Sequence, residues 1–150
     1  MQWQRIAKPD FGYAVHVPQG WDERAPDLKN SPFETARFVD PGDRRHSVIV
    51  FRGMPRPGAT PLQVAEQVQN SLEASGFGDF QITETEVAGQ SGARLDCAKH
   101  DAGRVWAVRQ YIVVHGADRF VLGCGSSMPE EDDALFTAMV ERFEILALST

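Results

Sequence analysis

The longest run of β-branched and aromatic residues in the chain covers residues 104–126 and is interrupted once, at Gly116 and Ala117. Two such runs joined by a short segment that contains glycine are typical of a β-hairpin. Glycine in the first central position favours a type II′ turn, which needs a positive φ there. The pattern therefore predicts two antiparallel strands in which His115 lies opposite Asp118.

This register determines which side chains share a face of the predicted sheet, because successive residues of a strand point to opposite faces. Even-numbered positions of the first strand are apolar apart from one amide, and odd-numbered positions are half polar. We expect helices to cover the even face, through Trp106, Val108 and Ile112. A functional surface is then expected on the odd face. In this register the odd face carries three opposed pairs: Arg109 with Cys124, Tyr111 with Leu122, and Val113 with Phe120.

A second turn is predicted in the four residues that precede Arg104, with Lys99 paired with Arg104. This pairing adds a third strand to the hairpin. In the predicted register Arg94 lies opposite Arg109, and Asp96 lies diagonal to it on the half-polar face.

The rest of the chain alternates shorter strand patterns with two helical ones. A capping box at Thr60 and Gln63 predicts the start of a helix over 60–75, and a second box at Ser127 and Glu130 predicts one over 128–144. Further strands are predicted over 11–17, 33–39, 46–52, 80–88 and 93–99. This order predicts an α+β fold, with helices packed on an antiparallel sheet of about six or seven strands and a single domain spanning 1–150.

Composition excludes several classes of function. The chain has 150 residues and a formal net charge of -6, so it lacks the basic excess of a nucleic-acid-binding protein. No segment has the roughly 20 apolar residues that a membrane span needs. The two cysteines are expected to be reduced core thiols, and no signal peptide is recognised at the start of the sequence. We therefore expect a cytoplasmic location, with a processed secreted protein or envelope lipoprotein as the alternative.

No motif for catalysis, a cofactor or a metal is recognised. The histidines are dispersed without the spacing of metal ligands, and both cysteines have apolar neighbours, which disfavour a reactive thiolate. We expect no enzymatic activity and no cofactor.

Arg94, Asp96, Arg109 and Tyr111 form the one polar cluster that the predicted register brings together. The cluster could bind a small anion or carboxylate, as a receptor or an enzyme, because arginine pairs form strong charge-assisted hydrogen bonds with such groups. The alternative, which we favour, is a structural ion-pair cluster.

A protein-binding surface is the remaining class of function. The loop over 53–58 carries Met54 and Arg56, and the half-polar face carries Arg109, Tyr111 and Phe120, which are residue types enriched in interfaces. We expect a partner that is either another protein or a second copy in a homodimer.

Several local motifs resemble the PsbP/Mog-like superfamily over nearly the whole chain. They are the corner Pro18-Gln19-Gly20-Trp21 after a strand, a helix that opens after a proline-rich loop, the turn Glu86-Val87-Ala88-Gly89 followed by Ala93-Arg94-Leu95, and the final Val140-Glu141-Arg142-Phe143. The superfamily includes the photosystem PsbP subunits, a fungal Ran-binding protein, bacterial DcrB-like proteins and mycobacterial LpqN-type lipoproteins.

The resemblance implies an α/β/α sandwich and a non-catalytic accessory or binding role. It points to the DcrB-like or LpqN-like bacterial branch, and some DcrB-like members act as chaperones for secretion-system effectors. The lipoprotein cysteine of the LpqN type is missing here, which favours a cytosolic role. No family functional residue maps onto a matching motif of this sequence.

Overall fold

The structure, a computed structural model, describes residues 1–146 and contains two antiparallel sheets and two helices. The larger sheet has seven strands in the order β3-β4-β5-β9-β8-β7-β6, and the smaller has the order β1-β2-β10. No helix in the described range is long and apolar enough to cross a membrane. The α+β class and the predicted strand number of the main sheet are confirmed. The elements are β1 (Trp3–Lys8), β2 (Tyr13–Pro18), β3 (Asp22–Arg24), β4 (Glu34–Val39), β5 (His46–Gly53), α1 (Pro61–Ala74), β6 (Gly78–Val87), β7 (Gln90–Asp101), β8 (Arg104–His115), β9 (Asp118–Ser126), α2 (Pro129–Glu141) and β10 (Glu144–Ile145).

The predicted hairpin of β8 and β9 is confirmed residue by residue. His115 lies opposite Asp118, and the pairing continues through Val113 with Phe120. Gly116 has a φ of 61°, as the predicted turn requires.

The predicted pairing of β7 with β8 is wrong by two residues. Asp101 lies opposite Arg104, because the turn consists of only Ala102 and Gly103, which have φ values of 50° and 78°. Two consecutive positive φ values are typical of a tight type I′ turn. Asp96 therefore lies opposite Arg109, where Arg94 was expected. A shift of two residues leaves every side chain on its predicted face.

Helix α1 covers the even face, as predicted. Thr60 and Gln63 form the expected capping box, with the Gln63 backbone N–H donating to Thr60 Oγ1 at 3.2 Å. Its inner side buries Val64 and Ala65 in one apolar cluster with Ala93, Ile112 and Val121 of the sheet. This apolar layer holds the helix over β6, β7 and β8.

Helix α2 packs on the opposite face, so the prediction that both helices share the even face is wrong. Its Phe136 and Met139 join the core cluster of the odd face, together with Tyr111 and Phe120. The small sheet covers the rest of that face through Tyr13. The molecule thus has three layers, with α1 on one side of the main sheet and α2 with the small sheet on the other.

Trp106 is the main misplaced core residue. It is half-buried and belongs to neither core cluster, and it lines an open cleft beside Lys99 and Arg104. The aromatic ring lies over Gly125, where an added Cβ would be 2.5 Å from the indole. Trp106 therefore packs on the sheet surface beyond the end of α1.

Both ends of α2 differ from the prediction. The N-cap is Met128, whose backbone N–H donates to Ser126 Oγ at 2.9 Å, so the box at Ser127 and Glu130 is not formed. The helix ends at Glu141, before the predicted residue 144, because Glu144 pairs with β2 as part of β10.

Candidate functional site

The predicted anion cluster exists, but its charges are matched within the protein. Arg109 is 9% exposed, and its guanidinium donates to Asp133 Oδ1 at 2.7 Å, to Tyr111 Oη at 3.2 Å and to Asp96 Oδ1 at 3.3 Å. Burial acts to lower the pKa of Arg109, but the hydrogen bond to Asp133 and the other partners outweigh it, so the pKa is raised. Arg94 donates to both oxygens of Asp96, at 2.8 and 3.2 Å. The geometry favours the structural ion-pair cluster over an anion clamp.

Asp133 is the member of this cluster that the sequence did not reveal. It directly follows the acidic first turn of α2, as the last of four consecutive acidic residues that the sequence explains by the helix dipole. Only the placement of α2 on the odd face brings this one carboxylate to Arg109.

The half-polar face is covered, contrary to the expectation that it would present a surface. Tyr111 and Phe120 are buried. The ring centre of Phe136 in α2 lies 5.9 Å from the Arg109 Cζ atom. The cavity that remains beside Arg109 and Asp96 is about 160 Å³, smaller than the roughly 300–1,000 Å³ of typical small-molecule sites. Tyr111 and Phe120 act here as core residues.

The loop after β5 is open to solvent, as the partner hypothesis requires. Met54 is 79% exposed and Arg56 is also exposed. Phe33, 51% exposed, lies beside the start of this loop, since an added Cβ at Gly53 would be 3.4 Å from its ring. We call Phe33, Met54 and Arg56 the rim. The sequence pattern assigned Phe33 to a strand and did not identify it as an exposed residue.

A groove extends from the rim along α1 and has a volume of about 550 Å³. One wall is the C-terminal half of α1, and the other is the segment 30–33. Its floor is the part of the even face that α1 leaves open. The side chains that line the floor and the rim end are Phe51, Gln110, Arg119 and Val121.

A buried network joins α2 to the main sheet on the odd face, which is opposite to the groove. His46 lies between two carboxylates, with Nδ1 2.9 Å from Asp132 Oδ1 and Nε2 2.9 Å from Asp40 Oδ2. The Ser126 hydroxyl donates to Asp132 Oδ2 at 2.6 Å, and Arg45 donates to Asp132 Oδ1 at 3.3 Å. The serine hydroxyl therefore faces a carboxylate and not an imidazole, so the group lacks the arrangement of a nucleophile activated by histidine.

The two cysteines are buried in a way that suppresses their reactivity. Burial, with a smaller contribution from Asp96, raises the pKa of Cys97 to about 11, and burial raises the pKa of Cys124 to about 12. Only the thiolate reacts readily, so both thiols are inert near neutral pH.

We predict that iodoacetamide at pH 8 modifies neither cysteine in the folded protein and both in the unfolded protein. Intact-mass spectrometry with and without denaturant measures this directly. Rapid labelling of Cys97 or Cys124 under native conditions would show that the thiol is activated, contrary to its position in the core.

No protein-family model matches the chain, and no curated protein matches it in sequence. Several solved structures do match its fold. The Ran-binding protein Mog1p of Saccharomyces cerevisiae superposes with a TM-score of 0.68 at 13% identity, covering 97% of this chain and 96% of the other. Cyanobacterial PsbP from Synechocystis sp. PCC 6803 gives a TM-score of 0.61 at 17% identity, covering 95% and 92%.

A third match is LpqN, described as involved in cell envelope biogenesis of Mycobacterium tuberculosis. Its TM-score is 0.60 at 17% identity, and the match covers 97% of this chain and 91% of the other. At this level of identity the matches bear on architecture alone. They confirm the fold that the sequence motifs implied: the chain has the PsbP/Mog-like fold.

Proposed function

We propose that the protein is a non-catalytic accessory module that binds another protein through the rim of Phe33, Met54 and Arg56. The observation that carries the proposal is the exposure of two large apolar side chains, Phe33 and Met54, on neighbouring loops. Aromatic, methionine and arginine side chains are enriched where protein surfaces meet.

The matched structures support a binding role in a general way. One of them, Mog1p, is described as a Ran-binding protein. The chemistry of the described residues agrees with a non-catalytic role, because both thiols have raised pKa values and Ser126 faces a carboxylate.

The chaperone-like role implied by the DcrB-like resemblance is a narrower form of the same proposal. It requires that the partner is bound while part of it is unfolded. A partner that binds only in its folded state would instead make the protein an accessory subunit.

The proposal is tested by photo-crosslinking in the native host. We expect p-benzoylphenylalanine at position 54 to capture one defined protein, because this side chain is the most exposed apolar member of the rim. Position 104 provides the control. Arg104 is exposed and begins β8, whereas the rim lies near the other end of that strand. A homodimer would give an adduct of twice the 16.6 kDa chain, and mass spectrometry identifies any other partner.

The captured protein is then purified and its affinity measured directly. Met54→Asp is expected to weaken binding at least about tenfold, because it places a charge at an apolar contact. The proposal is wrong if position 54 gives no adduct beyond that from position 104.

A further inference from the structure

The floor of the groove contains a buried amide that lacks a hydrogen-bond partner. Gln110 is 7% exposed, and its Oε1 atom accepts no hydrogen bond from any residue in the described range 1–146. An unpaired buried acceptor is unfavourable, so such groups are rare in folded proteins. Gly123 makes space for the amide, because an added Cβ at position 123 would be 2.7 Å from the same oxygen. Gly123 therefore leaves the space that the Gln110 amide occupies, and the amide oxygen has no partner there among the described residues.

The rim end of the groove contains a cation without a carboxylate partner. The Arg119 guanidinium lies over the Phe33 ring, with Cζ 5.3 Å from the ring centre. Among residues 1–146 no carboxylate lies within ion-pair distance of it, and its neighbour Asp118 pairs with Arg52 at 3.1 Å. Partial burial lowers the pKa of Arg119, and no acidic group offsets that effect. An anion at this position would gain a charge-assisted hydrogen bond.

The groove that joins these two groups is lined by both apolar and polar side chains, the polar ones being Asn30, Ser31, Gln67, Ser71 and Ser75. Arg119 lies opposite Val114, so Gln110 and Arg119 are separated by about four strand residues, or roughly 14 Å. An extended peptide of about four residues covers that distance. The apolar side chains along it are Phe33, Phe51, Val68, Leu72 and Val121.

We propose that the groove binds a segment of a partner polypeptide that has a large apolar side chain and, within a few residues of it, a carboxylate. The Gln110 side chain turns toward the groove so that its buried Oε1 accepts a backbone N–H of the segment. The apolar side chain packs on the floor, and the carboxylate pairs with Arg119. A peptide supplies all three groups, whereas an aliphatic anion supplies no donor for Gln110. This inference rests on the proposed function, because Phe33 belongs to both the rim and the groove.

The test uses acetyl-Ala-Leu-Phe-Glu-Glu-amide and its uncharged match, acetyl-Ala-Leu-Phe-Gln-Gln-amide. Binding to the folded chain is followed by methyl NMR at Val68, Leu72 and Val121. We expect shifts at these methyl groups and an affinity about tenfold higher for the acidic peptide. Arg119→Met is expected to abolish that preference while the uncharged peptide still binds.

The hydrogen bond to Gln110 is tested first by changing the peptide. In a series of peptides, one backbone amide at a time is replaced by an ester, which removes one N–H donor. One peptide of the series is expected to bind the unaltered protein several-fold more weakly than the parent. In Gln110→Leu this ester and the parent peptide are expected to bind equally well. Absence of shifts at the three methyl groups, or equal affinity of both peptides for the unaltered protein, would overturn the inference.

Failure of this inference is distinguishable from failure of the proposed function. If the cross-linked partner is lost with Met54→Asp but unaffected by Arg119→Met and Gln110→Leu, the rim binds the partner and the groove does not. If a second copy fills the groove, the methyl shifts depend on protein concentration without peptide, and the inference is wrong.

Discussion

Replacement of Asp132 by alanine is expected to destabilise the protein by about 3–5 kcal/mol, because it removes one partner from a buried group of charges. Asp132 is buried, and it accepts hydrogen bonds from Ser126 and Arg45 while facing the His46 ring. The substitution would leave these three groups without their common partner. Urea unfolding of the purified variant gives the free energy, and Asp132→Asn, which keeps the shape, should lose less.

The same carboxylate makes stability depend on pH. Burial alone would raise the pKa of Asp132, but the hydrogen bonds with Ser126 and His46 outweigh it and lower the pKa below its ordinary value. The stabilisation is therefore complete above about pH 4, the ordinary range of an aspartate, and is lost as the pH falls through the lower pKa of the folded state.

Asp132→Ala has no carboxylate to protonate at this position, so its free energy of unfolding should fall less in acid than that of the unaltered protein. The difference in unfolding free energy between the two proteins should therefore shrink below pH 4. A difference in unfolding free energy that stays constant from pH 7 to pH 3 would contradict the assignment of a charged carboxylate to this site.

The second large effect is expected for Phe120→Ala, which we predict to lower the free energy of unfolding by about 3–5 kcal/mol. The side chain is 2% exposed and packs against the stacked pair of Tyr13 and Phe143, with each ring centre 6.4 Å from that of Phe120. Its removal leaves a cavity between the main sheet and the layer formed by α2 and the small sheet.

Trp106→Ala is the matched comparison, because the sequence pattern alone predicts it to be among the most damaging substitutions. Trp106 is half-buried and outside both core clusters, so its loss should cost clearly less than that of Phe120. Melting temperatures of the two variants, measured side by side, decide the order. If Trp106→Ala is the more destabilised variant, the assignment of the two sheet faces is wrong.

Turns and helix caps could be predicted from the sequence, because each depends on only a few neighbouring residues. Gly116 needs a positive φ in its turn, and Thr60 with Gln63 forms a reciprocal cap, so a short stretch of sequence is enough to place each. The turn before Arg104 was predicted with the wrong length. Its positive φ values fall on Ala102 and Gly103, and alanine gives no signal for that conformation.

The side of the sheet on which a helix packs is not encoded locally. The apolar stripe of α2 predicts that one face of the helix is buried, but it is equally compatible with either face of the sheet. The choice depends on the small sheet, in which β10 has only two residues and no recognisable pattern. This is why Phe120, predicted as a surface residue, is in the core.

The groove could not be predicted because its parts come from distant segments. Gln110 and Arg119 lie on the predicted hairpin of β8 and β9, but Phe33 joins them only when β4, β5, β9 and β8 are ordered in the sheet. Met54 and Arg56 were identifiable, since a loop rich in proline and glycine exposes its side chains.

The central claim is that the rim binds the partner and that the face of Arg94 and Arg109 is structural. The most direct measurement is the affinity of the cross-linked partner for two single variants, determined by isothermal titration calorimetry. We predict that Met54→Asp weakens binding at least about tenfold and that Arg94→Gln leaves it unchanged. Weaker binding by Arg94→Gln together with unaltered binding by Met54→Asp would contradict the claim and assign the function to the arginine face.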